Sequence, residues 1–136
     1  MASLIYDSFW PALYNATLNG ATVKCMLVSN AYTPDQGTHT SRADVTANEV
    51  TGTGYTAGGV TVTQSWATDT ANHRATLTLG AASWSNSTIT AYKAVYYIST
   101  GTAANDKLIA IDDFAAAKSS TSGTFTVNST TITLQA

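Results

Sequence analysis

Two periods of apolar positions divide the chain. Over the first twenty residues they recur at helical spacing, with Phe9, Ala12, Leu13 and Ala16 on one face. Ser8 is of a capping type, Gly20 is placed to end the helix, and Pro11 fits only in a first turn. The pattern predicts a helical segment within residues 1–20, with Trp10 and Tyr14 off its main face as further core or as a contact surface. From Thr22 the period is two. Thr22–Val28 is apolar except for Lys24, as in a strand covered on both faces. Val60, Val62 and Trp66 alternate in one predicted strand and Ala75, Leu77 and Leu79 in the next, with Asp69–Asn72 as a hairpin turn. Ile89–Ile98 predicts a longer strand. It carries Ile89, Ala91, Val95 and Tyr97 on one side, and Tyr92, Tyr96 and Ile98 on the other. Gly101–Asp106 then turns the chain into Lys107–Ile111. Phe125 and Val127 alternate before Asn128–Thr130 turns into Ile132 and Leu134.

Between the first two strands lies a polar stretch, residues 29–59, with Pro34, Gly37, Gly52, Gly54, Gly58 and Gly59. Val45 and Val50 are its only aliphatics larger than alanine. A structureless run of this length is uncommon in a compact domain and is usually functional or disordered. A long loop excursion is expected, with one short helical turn near Ala43–Glu49. Short strands joined by Gly, Asn and Ser turns predict a mainly β fold, an antiparallel β-sandwich or small barrel of about seven strands. With the N-terminal helix and the Gly-rich loop, it forms a single domain over residues 1–136.

Composition narrows the setting. Charged residues are 10% of the chain, against roughly a quarter in ordinary soluble domains, while Thr accounts for 25 residues. Threonine suits a pleated strand and keeps its outer face polar without charge. A free monomer with so few charges has little colloidal protection, whereas a copy fixed in a large particle needs none. A Thr-rich extracellular β domain fits the composition equally well. The net charge is −2, and the six Lys and Arg (24, 42, 74, 93, 107 and 118) form no run, which argues against nucleic acid as a partner. No run approaches the ~20 apolar residues of a spanning helix, and the N-terminal residues lack a basic flank, so neither a membrane nor secretion is expected. Cys25, the single cysteine, sits in the apolar run VKCMLV and reads as a buried structural thiol. The sequons at Asn15, Asn86 and Asn128 read as chance products of a Ser- and Thr-rich chain.

Candidate chemistry is sparse. His39 lies in QGTHTSRAD near Asp35 and Asp44, but without H-x-x-x-H or C-x-x-C spacing no metal is expected. Ser, His and Asp are all present but without a nucleophile elbow. Asp112 and Asp113, adjacent on a predicted strand, point to opposite faces. They read as a strand-end turn or an inter-subunit salt bridge rather than an acid/base pair. GTGYTAGG (52–59) lacks G-x-G-x-x-G spacing, a Walker lysine and a following helix. Its glycines read as positive-φ turns or a close backbone approach to a neighbour. No catalytic residue and no cofactor are expected. Aromatic clusters at Tyr6–Phe9–Trp10–Tyr14 and Tyr92–Tyr96–Tyr97 suit core packing, a protein interface or a carbohydrate surface.

Several segments resemble a family of small tailed-phage proteins encoded among head and tail structural genes. They are LIYDSFWPALYN (4–15), TVKCMLVSNAYTP (22–34), DVTANEVTGTGYTAGGVTVT (44–63), ATLTLGAASWSNSTITAYKAVYY (75–97) and TGTAANDKLIAIDDF (100–114). ANEVTGTGYTAGG is the most specific. The resemblance implies a virion structural protein rather than an enzyme, with a capsid decoration (cement) role on the outer head surface as the leading expectation. It implies the major capsid protein as partner and a homo-oligomer, a trimer foremost. A tail, baseplate or head–tail joining part is the alternative, and a glycan-binding adhesin module is the alternative of another class. The contact residues expected are Tyr6, Phe9, Trp10 and Tyr14 in the N-terminal segment, and Asn48, Glu49, Tyr55 and Thr56 in the loop.

Overall fold

The computed structural model describes residues 4–135. One helix, α1 (Phe9–Thr17), precedes seven strands: β1 (Val23–Val28), β2 (Val60–Val62), β3 (Gln64–Asp69), β4 (Arg74–Leu79), β5 (Ala82–Ile98), β6 (Leu108–Val127) and β7 (Thr130–Gln135). They form two antiparallel sheets, β2-β1-β5-β6 and β3-β4-β7, packed as a sandwich with no closed barrel. The architecture is the expected one.

β1 explains its own sequence. It lies between β2 and β5, and its side chains alternate between two cores. Val23, Cys25 and Leu27 face the main core, with Leu77, Leu79, Trp84, Tyr96 and Phe125. Met26 and Val28 face a smaller core closed by Tyr32 and Val45 from the long loop and by Val95 and Tyr97. The loop thus acts as a third layer over the four-stranded sheet, and a strand covered on both faces reads as a continuous apolar run.

The helix starts and stops as expected, with Pro11 in its first turn and Gly20 at φ +80°, but Ser8 makes no side-chain cap. Its inner face differs. Trp10 and Leu18 are buried and Tyr14 stacks on Trp66 of β3 at 5.1 Å, whereas Phe9, Ala12 and Ala16 are exposed. The i, i+4, i+8 row of larger side chains determines the docking, and alanines carry too little area to compete. Gln64 Nε2 completes the attachment by donating to the carbonyls of Leu18 (2.6 Å) and Ala21 (2.9 Å).

Three strand expectations change. The single strand through Val60, Val62 and Trp66 is two strands in different sheets, divided at Thr63, so alternation continues across a change of sheet. The expected sides of Ile89–Ile98 are reordered by a bulge. Between the pairs Ala91–Lys118 and Lys93–Asp113, one residue of β5, Tyr92, faces four of β6, residues 114–117. After it Ala94 and Tyr96 share the main core with Ile89 and Ala91, while Val95 and Tyr97 face the other way. Finally, β6 does not end at Asp112–Asp113. Asp113 Oδ1 accepts the Ala115 N–H at 2.8 Å inside that bulge, with Ala115 at φ +63°. After Val127 the chain crosses sheets, and β7 pairs with β4.

Candidate functional site

The loop and the N-terminal segment were the two expected contact regions, and the structure uses them differently. In the loop, short 3-10 turns at Arg42–Asp44 and Thr46–Asn48 match the helical turn expected near Ala43–Glu49. Glu49 pairs with Val28, and the Val50 N–H donates to the Leu27 carbonyl at 3.1 Å, extending the edge of β1. The chain then leaves this edge until β2, and a side chain fills the gap. The Tyr55 hydroxyl accepts the Leu27 N–H at 3.1 Å and donates to Glu49 Oε1 at 2.6 Å; the same oxygen accepts the Gly58 N–H at 2.6 Å. Burial, followed by the bond to Glu49, pushes the Tyr55 phenol well above its ordinary value, so it stays protonated and keeps donating. Tyr97 donates to the Gly58 carbonyl at 2.5 Å.

The glycines serve this attachment. A Cβ on Gly59, at φ +78°, would overlap the Cys25 carbonyl, and one on Gly52 would overlap that of Thr88. The close approach is to the chain's own strands rather than to a neighbour. Glu49 and Tyr55 are therefore internal fasteners, Asn48 is half-buried with its carbonyl accepting from Ser29, and Thr56 is exposed.

Farther back the loop is held by a buried ion pair. Arg42 Nε lies 2.7 Å from Asp106 Oδ2, and the Asp106 side chain is only 1% exposed. Burial pushes the Asp106 carboxyl up, but bonds from the Thr100 hydroxyl and amide (both 2.6 Å) and from Arg42 outweigh it, leaving the group below the usual carboxylate range. His39 stacks on Tyr32 and shares Nδ1 with the Tyr32 hydroxyl at 3.0 Å. Among the described residues no group of three or more His, Cys, Asp or Glu could hold a metal, and no helix is long and apolar enough to cross a membrane. Burial pushes the Cys25 thiol up to about 12.

The N-terminal segment is the opposite case. Leu4 is 85% exposed, Tyr6 83%, Phe9 51% and Ile5 40%, so four large apolar side chains stand together outside the core. Their base is fixed: Asp7 meets His73 Nδ1 at 3.0 Å in the β3–β4 turn, and Trp10 and Tyr14 anchor the helix behind. Of the expected contact residues, Tyr6, Phe9 and Thr56 are at the surface, and Trp10 is buried. Leu4 and Ile5 join the patch unforeseen; the signal was the LIY run, which does not continue the helical spacing.

A second feature had no local signal. An open groove of about 450 Å³ runs between the loop residues Tyr32, Pro34 and His39 and the apolar side chains of Ile109, Ile111 and Ile132. Its lining comes from four separate segments: the loop, Val95 of β5, residues 108–111 of β6 and Ile132 of β7. Neither a protein-family model, nor a curated protein, nor a solved structure matches the chain.

Proposed function

We propose that this protein is a structural subunit of a phage virion, and that it decorates and stabilises the expanded head. The observation that carries the assembly reading is the apolar segment Leu4–Phe9, exposed on a firmly anchored base. A contiguous apolar patch on an otherwise polar surface marks an association site, and aromatic side chains are the residues that concentrate binding energy there. The threonine-rich, charge-poor sheets suit a subunit held in a particle. The resemblance of ANEVTGTGYTAGG and its neighbouring segments to small phage structural proteins supports a virion as the particle, with the head as the leading place in it. In this reading the protein binds sites where capsomers meet and stabilises the expanded shell by mass action on the bound state.

The test is to add purified protein to expanded heads that lack it. Saturable binding in hundreds of copies, with raised thermal resistance of the heads, is expected. Binding of about a dozen copies at one vertex would favour the joining role, and binding to host polysaccharide without binding to heads would favour the adhesin. The three Trp side chains pack inward, so a glycan surface would draw first on Tyr6 and Phe9, the most exposed aromatics among the described residues.

A further inference from the structure

We propose that Asn19 is a site of spontaneous covalent modification. Its side-chain amide is lost through a cyclic imide formed with the Gly20 nitrogen, and the isoaspartate that results loosens the seat of α1. The substrate is the chain itself, and water is the only co-reactant. The reaction is independent of what the protein binds.

Of the eight asparagines, only Asn19 precedes glycine. That order matters because the attacking atom is the next residue's backbone nitrogen, and glycine has no Cβ to obstruct its approach. Position in the fold removes further protection. Asn19 is exposed just beyond the end of α1, and Gly20 stands at φ +80° with nothing within 4 Å of where a Cβ would lie. Its neighbours are tied down: the Asn19 N–H donates to the Tyr14 carbonyl at 3.0 Å, and the Ala21 N–H to the Leu18 carbonyl at 2.9 Å. Among the described residues the Gly20 N–H has no acceptor, so no internal hydrogen bond holds its proton. One contact opposes the reaction. Asn19 Nδ2 donates to Asn15 Oδ1 at 3.0 Å and holds the side chain back along the helix, but this bond is exposed and competes with water. Other asparagines are better shielded: Asn15 lies inside α1, and Asn86 precedes the buried Ser87.

In the reaction the Gly20 nitrogen gives its proton to solvent base and bonds to Asn19 Cγ. The Cγ–Nδ2 bond breaks, and the amide nitrogen takes up a proton and leaves as ammonia. Water then opens the succinimide ring. Entry at Cγ gives an aspartate; entry at the main-chain carbonyl gives an isoaspartate, whose backbone runs through the former side chain. No electron is transferred, and the net charge goes from −2 to −3 as one neutral amide becomes a carboxylate. The location gives this change a consequence. Leu18 and Ala21, on either side, both offer their carbonyls to Gln64 Nε2, at 2.6 and 2.9 Å. An isoaspartate between them adds a methylene to the main chain and strains the hold of both carbonyls on one amide nitrogen. The new charge also sits at the negative end of α1. The helix, and the Leu4–Phe9 arm that it carries, are therefore expected to loosen.

The test is to hold the purified chain in mildly alkaline buffer and follow it by ion exchange and peptide mapping, with the chain unfolded in urea alongside. One more acidic species is expected in the folded sample. It carries the amide-to-acid mass change at Asn19, mostly as isoaspartate, with ammonia released in equal amount. Asn19→Gln is expected to stay unconverted, because its larger ring closes far more slowly. Asn15→Ala, which frees the Asn19 amide, is expected to convert about threefold faster than wild type. An Asn19 that keeps its amide in the folded chain overturns the inference, and conversion in urea alone would assign the protection to the fold. Earlier conversion at Asn86 or Asn128 overturns it as well. In the separated isoaspartate form, amide hydrogen exchange in α1 is expected to be about fivefold faster than in the unmodified chain, with β1 and β5 unchanged. Equal exchange of α1 in the two forms would overturn the loosening.

Discussion

The Gly-rich loop and the N-terminal arm invert what their compositions lead one to expect. Residues 51–59 are polar, glycine-rich and short of regular structure, yet Tyr55 replaces a missing strand partner and Gly59 lies against the backbone of β1. Residues 4–9 are mostly apolar, yet Leu4 and Tyr6 stand in solvent. Polarity alone does not say which segment is fastened to the fold. The loop is fastened to the fold through Tyr55 and Gly58, which hydrogen-bond to Leu27, Glu49 and Tyr97, although residues 51–54, Thr56 and Ala57 are exposed. The arm is external because nothing in its own chain covers it.

The sharpest way to break this contrast is at Gly59. A Cβ there meets backbone, which cannot rotate away, and the positive φ adds strain. Gly59→Ala is expected to destabilise the protein by about 4 kcal/mol in urea unfolding. A change below about 1 kcal/mol would mean that the loop is not seated as described. Asp106→Ala is next, at about 3 kcal/mol, because it leaves Arg42 without its partner. The sign of its pH dependence follows from the lowered carboxyl. The stabilisation is fully present above the unfolded Asp value, about pH 4, and is lost as pH falls through the lower folded value. Wild-type acid unfolding should therefore be steeper below about pH 4 than that of Asp106→Asn. Tyr55→Phe removes two hydrogen bonds while keeping the ring beside Trp84, and about 2 kcal/mol is expected by the same urea assay. Smallest of all is Leu4→Ser/Tyr6→Ser, within about 0.5 kcal/mol of wild-type monomer stability. A large loss of stability there would make the arm part of the core.

The fold was legible where side-chain periodicity and burial act over a few residues. The apolar run of β1, the β3–β4 hairpin around Asp69–Asn72 and the helix between Ser8 and Gly20 could all be read this way. Reading failed where a distant partner decides. The change of sheet at Thr63 leaves the alternation of Val60, Val62 and Trp66 intact, so no local signal marks it. The bulge between Ala91 and Lys93 depends on extra residues in β6, more than twenty positions away. In the candidate site, Tyr6 and Phe9 were legible as large aromatics near the chain's start. The roles of Glu49 and Tyr55 were not, because they turn on one hydroxyl meeting the Leu27 amide. The Arg42–Asp106 pair joins residues 64 apart, and the groove draws on four segments; neither has a sequence signature of its own.

The most direct measurement of the contrast is hydroxyl-radical footprinting of the chain, free and dilute and then bound to expanded heads. Leu4, Tyr6 and Phe9 are expected to be oxidised in the free chain and protected in the bound one, while Tyr55 and Tyr97 are protected in both. Equal oxidation of the arm in the two states, or strong labelling of Tyr55 in the free chain, would contradict the contrast.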